Sequence, residues 1–588
     1  MRSTRTLLAL VYFSVFALSC KAPERTKEWW ENAEFYQIYP RSFKDSDGDG
    51  LGDLNGITSK LQYLKDLGVK SAWISPIYKS PMFDMGYDVS DYMDIHPAYG
   101  TLEDFDNLIS EANRLGLKIL LDFVPNHSSD EHEWFVKSEN REAGYEDYYI
   151  WDDGKIDPSD PNKRLPPSNW LSAFRGSGWK WSEKRKQFYY HCFTVKQPDL
   201  NFRNPLVVKE MEKVLTFWLE RGVSGFRCDA VTNIYEKAPL DGVYLDEPEN
   251  PDQPDPDDFD HLKHIYVLDQ PESIEIVYQW RKILDEYREK NGGDQRILMI
   301  ETGSPNSYSH QFYGNANTEG AQLPFNFNLI FKVDKTTDAQ GLIEAIDTWL
   351  IGLPAGRTPN WVIGNHDNRR VPNRYGMERT DFMNMLGMIL PGVSVTYQGD
   401  ELGMVDGEVT WVETVDPMGC NTNSTVYDDY SRDPARTPFH WDSTYNAGFS
   451  TATKTWLPVA STYQTINVDV ELNANGKSHL KIYKDLIKLR SKRVMRNGNY
   501  RYRENNNVFI LKRFIPGEEL VVLLGNMNDH NEYINLSEVD PSIPANLEIL
   551  IVSMNSEKVV GTTLNTKSVL LKPSEAIVCG GTLAFYWR

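Results

Sequence analysis

The chain is poor in cysteine, with five among 588 residues. Their wide spacing excludes a disulfide framework and a zinc ribbon. Positive charge is also short: 62 Lys and Arg face 84 Asp and Glu, a net charge of -22. That balance argues against nucleic acid and anionic membranes as partners. Long hydrophobic runs are missing. The apolar stretch Leu7 to Leu18 falls short of the ~20 residues a membrane span needs. The C-terminal Gly580 to Arg588 lacks the apolar tail of a lipid-anchor signal. No Gly-rich dinucleotide loop follows any strand-like run, which weakens an open doubly wound sheet.

What is present begins with a basic N-terminus before Leu7 to Leu18, with small residues near Ser19. This reads as a cleaved secretory signal over 1–20, and a lipobox at Cys20 fits poorly. A soluble, secreted, extracellular protein is expected. Cys192, Cys228, Cys420 and Cys579 remain; Cys228, inside a strand-like run, reads as a small buried hydrophobe, and one bridge among the other three stays open. Sequons occur at Asn126, Asn423 and Asn535. Asn126, inside a strand-end motif, is expected to be inaccessible.

Short apolar runs alternate with helical patterns from residue 34 to about 490. Eight runs qualify as buried strands: Phe35 to Tyr39, Ser71 to Ser75, Ile119 to Val124, Gly225 to Cys228, Ile297 to Ile300, Leu323 to Phe327, Trp361 to Ile363 and Val393 to Tyr397. Each is a continuous run, as in a parallel sheet covered on both faces. The pattern predicts an α/β fold, a (β/α)8 barrel of the TIM type. Residues 128–199 lack a helical period and read as a domain inserted after strand 3. The barrel would then span 21–127 and 200–495. A Pro- and acid-rich loop near Ala238 to Phe259 follows strand 4. Alternating strands over 496–588 predict a C-terminal antiparallel β-sandwich.

Three acidic residues stand directly after apolar runs: Asp229, Glu301 and Asp367. Desolvation makes these costly positions for carboxylates. A nucleophile, an acid and an electrostatic stabiliser explain them well. Arg227 shares a face with Asp229. Its charge is expected to lower the Asp229 pKa and keep that group ionised. Burial and neighbouring negative charge are expected to keep Glu301 protonated, as a general acid must be. His366 and His127 are positioned to donate hydrogen bonds to sugar hydroxyls.

With these motifs, the chain resembles the α-amylase family of glycoside hydrolases. Asp122 to His127, Gly225 to Asp229, Glu301 and Asn365 to Asp367 match its motifs in order. Gln197 to Asn201 and Glu34 to Phe43 are similar to its oligo-1,6-glucosidase and maltase branch. The resemblance implies a retaining exo-α-glucosidase, with Asp229 as nucleophile, Glu301 as acid and base, and Asp367 on the sugar's 2- and 3-hydroxyls. It implies that Asp84 and Arg436 form an ion pair closing the pocket beyond one glucose. Tyr87 would lie beneath that ring. Ala230, small where α-1,6 enzymes carry Val, points to maltose, sucrose or short α-1,4-glucosides, with transfer of glucose to another sugar as the same chemistry. The substrate partner would be a small oligosaccharide; the oligomeric state is left open. An α-1,6-preferring enzyme and a catalytically weak binding or receptor protein are the alternatives.

Asp45 to Asp53 forms a separate site. Carboxylates at Asp45, Asp47, Asp49 and Asp53, with the backbone carbonyl of Leu51, suit a hard cation. Position 12 is Gly56, so this is not an EF-hand. The resemblance implies a structural Ca2+ here and no organic cofactor.

Overall fold

The computed structural model describes residues 27–583. The signal-peptide expectation over 1–20 and the lipobox reading at Cys20 lie outside them. Each of the eight runs forms a strand: β1 (Glu34–Ile38), β2 (Ser71–Ile74), β3 (Lys118–Phe123), β4 (Gly225–Cys228), β5 (Ile297–Ile300), β6 (Leu323–Pro324), β7 (Asn360–Val362) and β8 (Val393–Tyr397). They make one eight-stranded sheet in the order β6-β5-β4-β3-β2-β1-β8-β7. Every ladder in it is parallel. The sheet closes between β6 and β7 through a side chain. The buried Asn360 donates its amide to the Pro324 carbonyl at 2.6 Å and accepts the Asn326 N–H at 2.9 Å. Proline has no N–H to donate, and the Asn360 amide completes the ring there.

Outer helices form where the 3.6-residue period and caps predict them. α1 (Leu54–Leu67) starts on the Asp53 carboxylate, which accepts the Gly56 N–H, and stops at Gly68, at φ 97°. α2 (Leu102–Leu115) opens with a Thr101–Asp104 capping box and stops at Gly116. α3 (Pro205–Glu220), α4 (Pro271–Asn291), α5 (Ala339–Leu350), α6 (Thr380–Ile389) and α7 (His479–Arg490) follow. Between β5 and β6 the crossover shrinks to two short turns, Asn306–Ser309 and His310–Tyr313.

The segment after β3 carries a three-stranded antiparallel sheet and a hairpin. Its aromatic core includes Trp170, Trp179, Phe188 and Tyr190. A bridge from His127 to Asp199 sews its base to the end of β3. The C-terminal region is a lopsided sandwich: a six-stranded antiparallel sheet with a two-stranded ribbon, Glu532–Ile534 and Val569–Leu571. Alternation along Val508–Phe514 divides its residues between two cores. Val508 and Ile510 join the ribbon's core, while Phe509 and Leu511 join the barrel's.

Cys192, Cys228, Cys420 and Cys579 are all free, so no bridge forms among the described residues. No described helix is long and apolar enough to cross a membrane.

Candidate active site

The strand register places the site's first pair. Arg227 on β4 lies opposite Asp122 on β3. Its Nη1 donates to Asp122 Oδ1 at 2.9 Å and also to Asp229 Oδ1. Its Nη2 stands 2.7 Å from Glu301 Oε1. The guanidinium lies over the Trp73 ring, 5.0 Å from its centre. One arginine, 2% exposed, therefore joins three carboxylates from three adjacent strands. Glu301 Oε2 also accepts the Ala230 N–H at 2.9 Å. Ala230 holds a left-handed conformation, φ 46°, strained for a residue with a Cβ. That turn aims its N–H at Glu301.

Asp367, after β7, has a different environment. Its Oδ1 accepts from Arg436 Nη2 at 2.8 Å and Arg432 Nη1 at 3.3 Å. His366 Nε2 lies 3.4 Å from its Oδ2. His366 also bonds Tyr87 Oη at 2.7 Å, and Gln37 Nε2 reaches its Nδ1 at 2.8 Å. Tyr87 stacks on the His366 ring at 5.5 Å and donates to Asp122 Oδ2 at 3.1 Å. A hydrogen-bonded chain thus runs from Gln37 through His366 and Tyr87 to the Asp122–Arg227 pair.

These surroundings set the protonation states. Burial pushes Glu301 up to about 7; Arg227 opposes it, and the charges of Asp229 and Asp367 reinforce it. Asp229 is also raised, by burial first, with Asp122 and Asp367 adding to it. The expectation that Arg227 alone would lower the Asp229 pKa is therefore corrected. One guanidinium is divided among three carboxylates, Asp122 and Asp229 buried and Glu301 partly exposed to the cavity, and desolvation outweighs its share. For Asp367, burial raises, but His366, Arg436 and Arg432 together outweigh it and hold the group well below the usual carboxylate range. Burial lowers His366 to about 3 and His127 to about 3, so both rings are neutral near pH 7.

The carboxylates face a cavity of about 350 Å³, at the small end of the ~300–1,000 Å³ typical of ligand pockets. Asp84, Tyr87, His127, Asp229, Ala230, Glu301, His366 and Asp367 all line it. Arg227 lies just behind, through its contacts with Asp229 and Glu301. His127 Nε2 bonds the Tyr87 carbonyl and the Gln197 amide, both at 3.1 Å.

Arg436 does not pair with Asp84. The partner is Arg432, whose Nη2 donates to Asp84 Oδ1 at 2.8 Å and to Asp416 Oδ1 at 2.6 Å. Arg436 instead bonds Asp367 and the His366 carbonyl. Both arginines belong to one short turn, Asp433–Arg436 and its cap. Only their contacts distinguish them. Sequence reasoning had Gln197 only as part of a family motif, and the structure shows it donating to Asp84 Oδ2 at 3.1 Å; sequence reasoning missed Phe174, which lies beneath Arg432 at 5.1 Å. The paired motif Asp122 and Arg227, on adjacent strands, was the available signal for Asp122.

In the acidic loop, oxygens of Asp45, Asp47 and Asp49 lie within 4.8 Å of one another. Asp45 is buried and accepts the N–H groups of Asp47, Gly48 and Gly50. Leu51 donates its N–H to Asp49 at 2.7 Å. Asp53 is engaged as the α1 cap and by Ser46. Asn126 is buried, Asn423 is exposed and Asn535 is half-buried.

Residues 37–498 match the model of the alpha-amylase catalytic domain. The chain is 49% identical to maltase 1 of Drosophila virilis over 94% of its own length and 86% of that protein's. It is 46% identical to a salivary alpha-glucosidase of Aedes aegypti, over 90% of each chain. Among solved structures, an alpha-glucosyl transfer enzyme superposes with a TM-score of 0.81 at 30% identity, covering 95% of this chain and all of that one.

Proposed function

The chain belongs to the α-amylase family, and from that premise we propose that it is a retaining exo-α-glucosidase. Its substrates would be maltose, sucrose or short α-1,4-glucosides. The carrying observation is the Arg227 fork, which holds Asp229 on one nitrogen and Glu301 on the other, with both carboxyls lining one cavity. Two carboxyls on one guanidinium favour the ~5–5.5 Å separation of retaining enzymes over the ~6.5–9.5 Å of inverting ones.

Asp229, in its ionised form, attacks the anomeric carbon. Glu301 donates its proton to the leaving oxygen, then takes one from the water that releases glucose. The negative charge of Asp367 supports the positive charge that develops on the sugar ring and accepts its 2- and 3-hydroxyls. The neutral His127 and His366 line the pocket with their ring nitrogens bonded within the protein, and Tyr87 underlies the ring. Asp84, held by Arg432, caps the non-reducing end. An alcohol in place of water makes the same step a transfer.

The hydrophobic N-terminus and the salivary relatives support secretion. The exposed Asn423 and half-buried Asn535 suit glycosylation; the buried Asn126 does not. The clustered oxygens of Asp45, Asp47 and Asp49 are hard donors that fit Ca2+, with the Leu51 carbonyl available to join them. That ion would brace the turn leading into α1.

The test is glucose release from maltose, sucrose, isomaltose and soluble starch. Rapid release from maltose or sucrose, little from starch and none by Asp229→Asn supports the proposal. Folded protein inactive on every sugar would replace it with the binding or receptor reading. Preference for isomaltose would replace the linkage assignment.

A further inference from the structure

The insertion after β3 and the long loop after β8 both line the pocket, and the acidic loop after β4 packs against them from outside. A tight turn of the insertion, bridged from Leu171 to Ser177, supplies the cavity residues Ala173 and Phe174. Phe174 lies against Arg432, the residue that grips Asp84. The next residue, Arg175, reaches both other segments. Its Nη2 stands 2.5 Å from Asp255 and its Nη1 3.5 Å from Asp258, on the loop after β4. Its Nη1 also reaches the Tyr430 hydroxyl at 3.3 Å, on the loop after β8. The guanidinium covers the Tyr430 ring at 5.3 Å. Two further bonds run alongside. Gly176 donates its N–H to the Asp257 carbonyl at 2.8 Å, and Asn421 donates to the Phe174 carbonyl at 2.7 Å.

The backbone at Arg175 makes this arrangement informative. Its φ is 77°, a left-handed conformation that glycine adopts without strain and arginine does not. Local turn geometry alone favours glycine here. The guanidinium's contacts with the two other loops offset that strain.

We propose that Arg175 is a positioning residue that clamps the three loops together and keeps Phe174 seated on Arg432, and so sets how tightly the pocket holds the terminal glucose. This rests on the glucosidase reading of the site. Arg175 touches no reacting atom, so its loss acts on binding more than on chemistry. Displacing one wall of a binding site by a fraction of an ångström weakens the hold on substrate without removing any reacting group. The clamp is partly exposed, with Arg175 at 20% and Asp255 at 42%, so salt screens it.

Arg175→Gly removes the guanidinium and relieves the backbone. Its KM for maltose is expected to rise roughly tenfold, with kcat within about threefold of the parent. KM of the parent is expected to climb between 0.05 and ~0.5 M NaCl, and that of the variant to stay flat. Amide hydrogen exchange across 171–177 and 251–260 is expected to quicken in the variant. That readout needs no substrate, so it separates failure of the clamp from failure of the glucosidase reading. Parent-like KM, salt response and exchange in Arg175→Gly would overturn the proposal. Should that variant fail to fold, the paired variant Asp255→Asn with Asp258→Asn decides: a raised, salt-insensitive KM supports the clamp, and an unchanged one overturns it.

Discussion

Arg432 Nη2 stands 2.8 Å from Asp84 Oδ1, and its Nη1 stands 3.3 Å from Asp367 Oδ1. Two carboxylates that line the pocket are thereby joined through one guanidinium. Asp416, fully buried, takes the remaining face of the same guanidinium. Binding and charge placement therefore depend on one side chain.

Arg432→Met keeps the volume and removes that charge. Asp84 and Asp416 would be left buried without their ion-pair partner. Breaking a buried pair in this way costs about 3–5 kcal/mol. Urea unfolding is expected to show a loss of that order, and KM for maltose to rise. Arg436→Met should leave the Asp84 environment intact, because Arg436 contacts Asp367 instead. Equal effects of the two variants on binding of the terminal glucose would contradict the assignment.

The pH dependence follows from Glu301, raised to about 7 by burial. In its proposed role as general acid it must carry a proton. Activity is present below that value and is lost as pH rises through it. Asp229 must be ionised, and its own raised value removes activity on the acid side. The profile of kcat/KM should be a narrow bell whose limbs belong to the coupled group rather than to single residues. Glu301→Gln is expected to abolish maltose hydrolysis while sparing the first step on aryl glucosides, whose leaving group needs no proton. Its alkaline limb should vanish in that step.

Ala230 lies in the pocket at φ 46°. A β-branched residue there is a backbone outlier. Ala230→Val is expected to lower stability, because a β-branched side chain fits the left-handed region worse than Ala does, and to lower activity on maltose relative to isomaltose. An unchanged ratio between the two sugars would show that this position does not select the linkage.

Calcium should act on stability and leave the chemistry alone. Saturating Ca2+ at ~100 times its dissociation constant would add about 2.7 kcal/mol. A thermal scan with and without chelator reads this directly. Asp45→Ala should remove the response, with kcat unchanged in the folded protein. A melting point indifferent to Ca2+ in the parent would eliminate the site.

The barrel was legible because parallel strands covered on both faces must be written as apolar runs, and all eight were. Their carboxyl ends share one face, so Asp229, Glu301 and Asp367 could be grouped before any coordinates. Arg432 was not legible. It comes from a long loop without periodicity, four residues from a second arginine, and only the fold decides which one reaches Asp84. The state of Asp229 was misjudged for a different reason. Sequence shows Arg227 as its neighbour, but not that Asp122 and Glu301 draw on the same guanidinium. The boundary of β6 was too long by three residues, because Pro324 ends the regular ladder.

The C-terminal sheet belongs to two interiors at once. Phe509, Leu511, Val521, Leu523 and Val578 lie among the barrel's buried residues, while Val508, Ile510, Leu520, Val522 and Leu524 lie under the ribbon. The barrel's outer helix α6 rests directly on it, Phe382 against Phe509 at 6.0 Å. Such a sheet is not a detachable appendage. Cutting the chain near residue 496 would strip a wall from the barrel itself. Barrel and sheet should consequently melt as a single cooperative unit, with one calorimetric peak and no separately folding fragment.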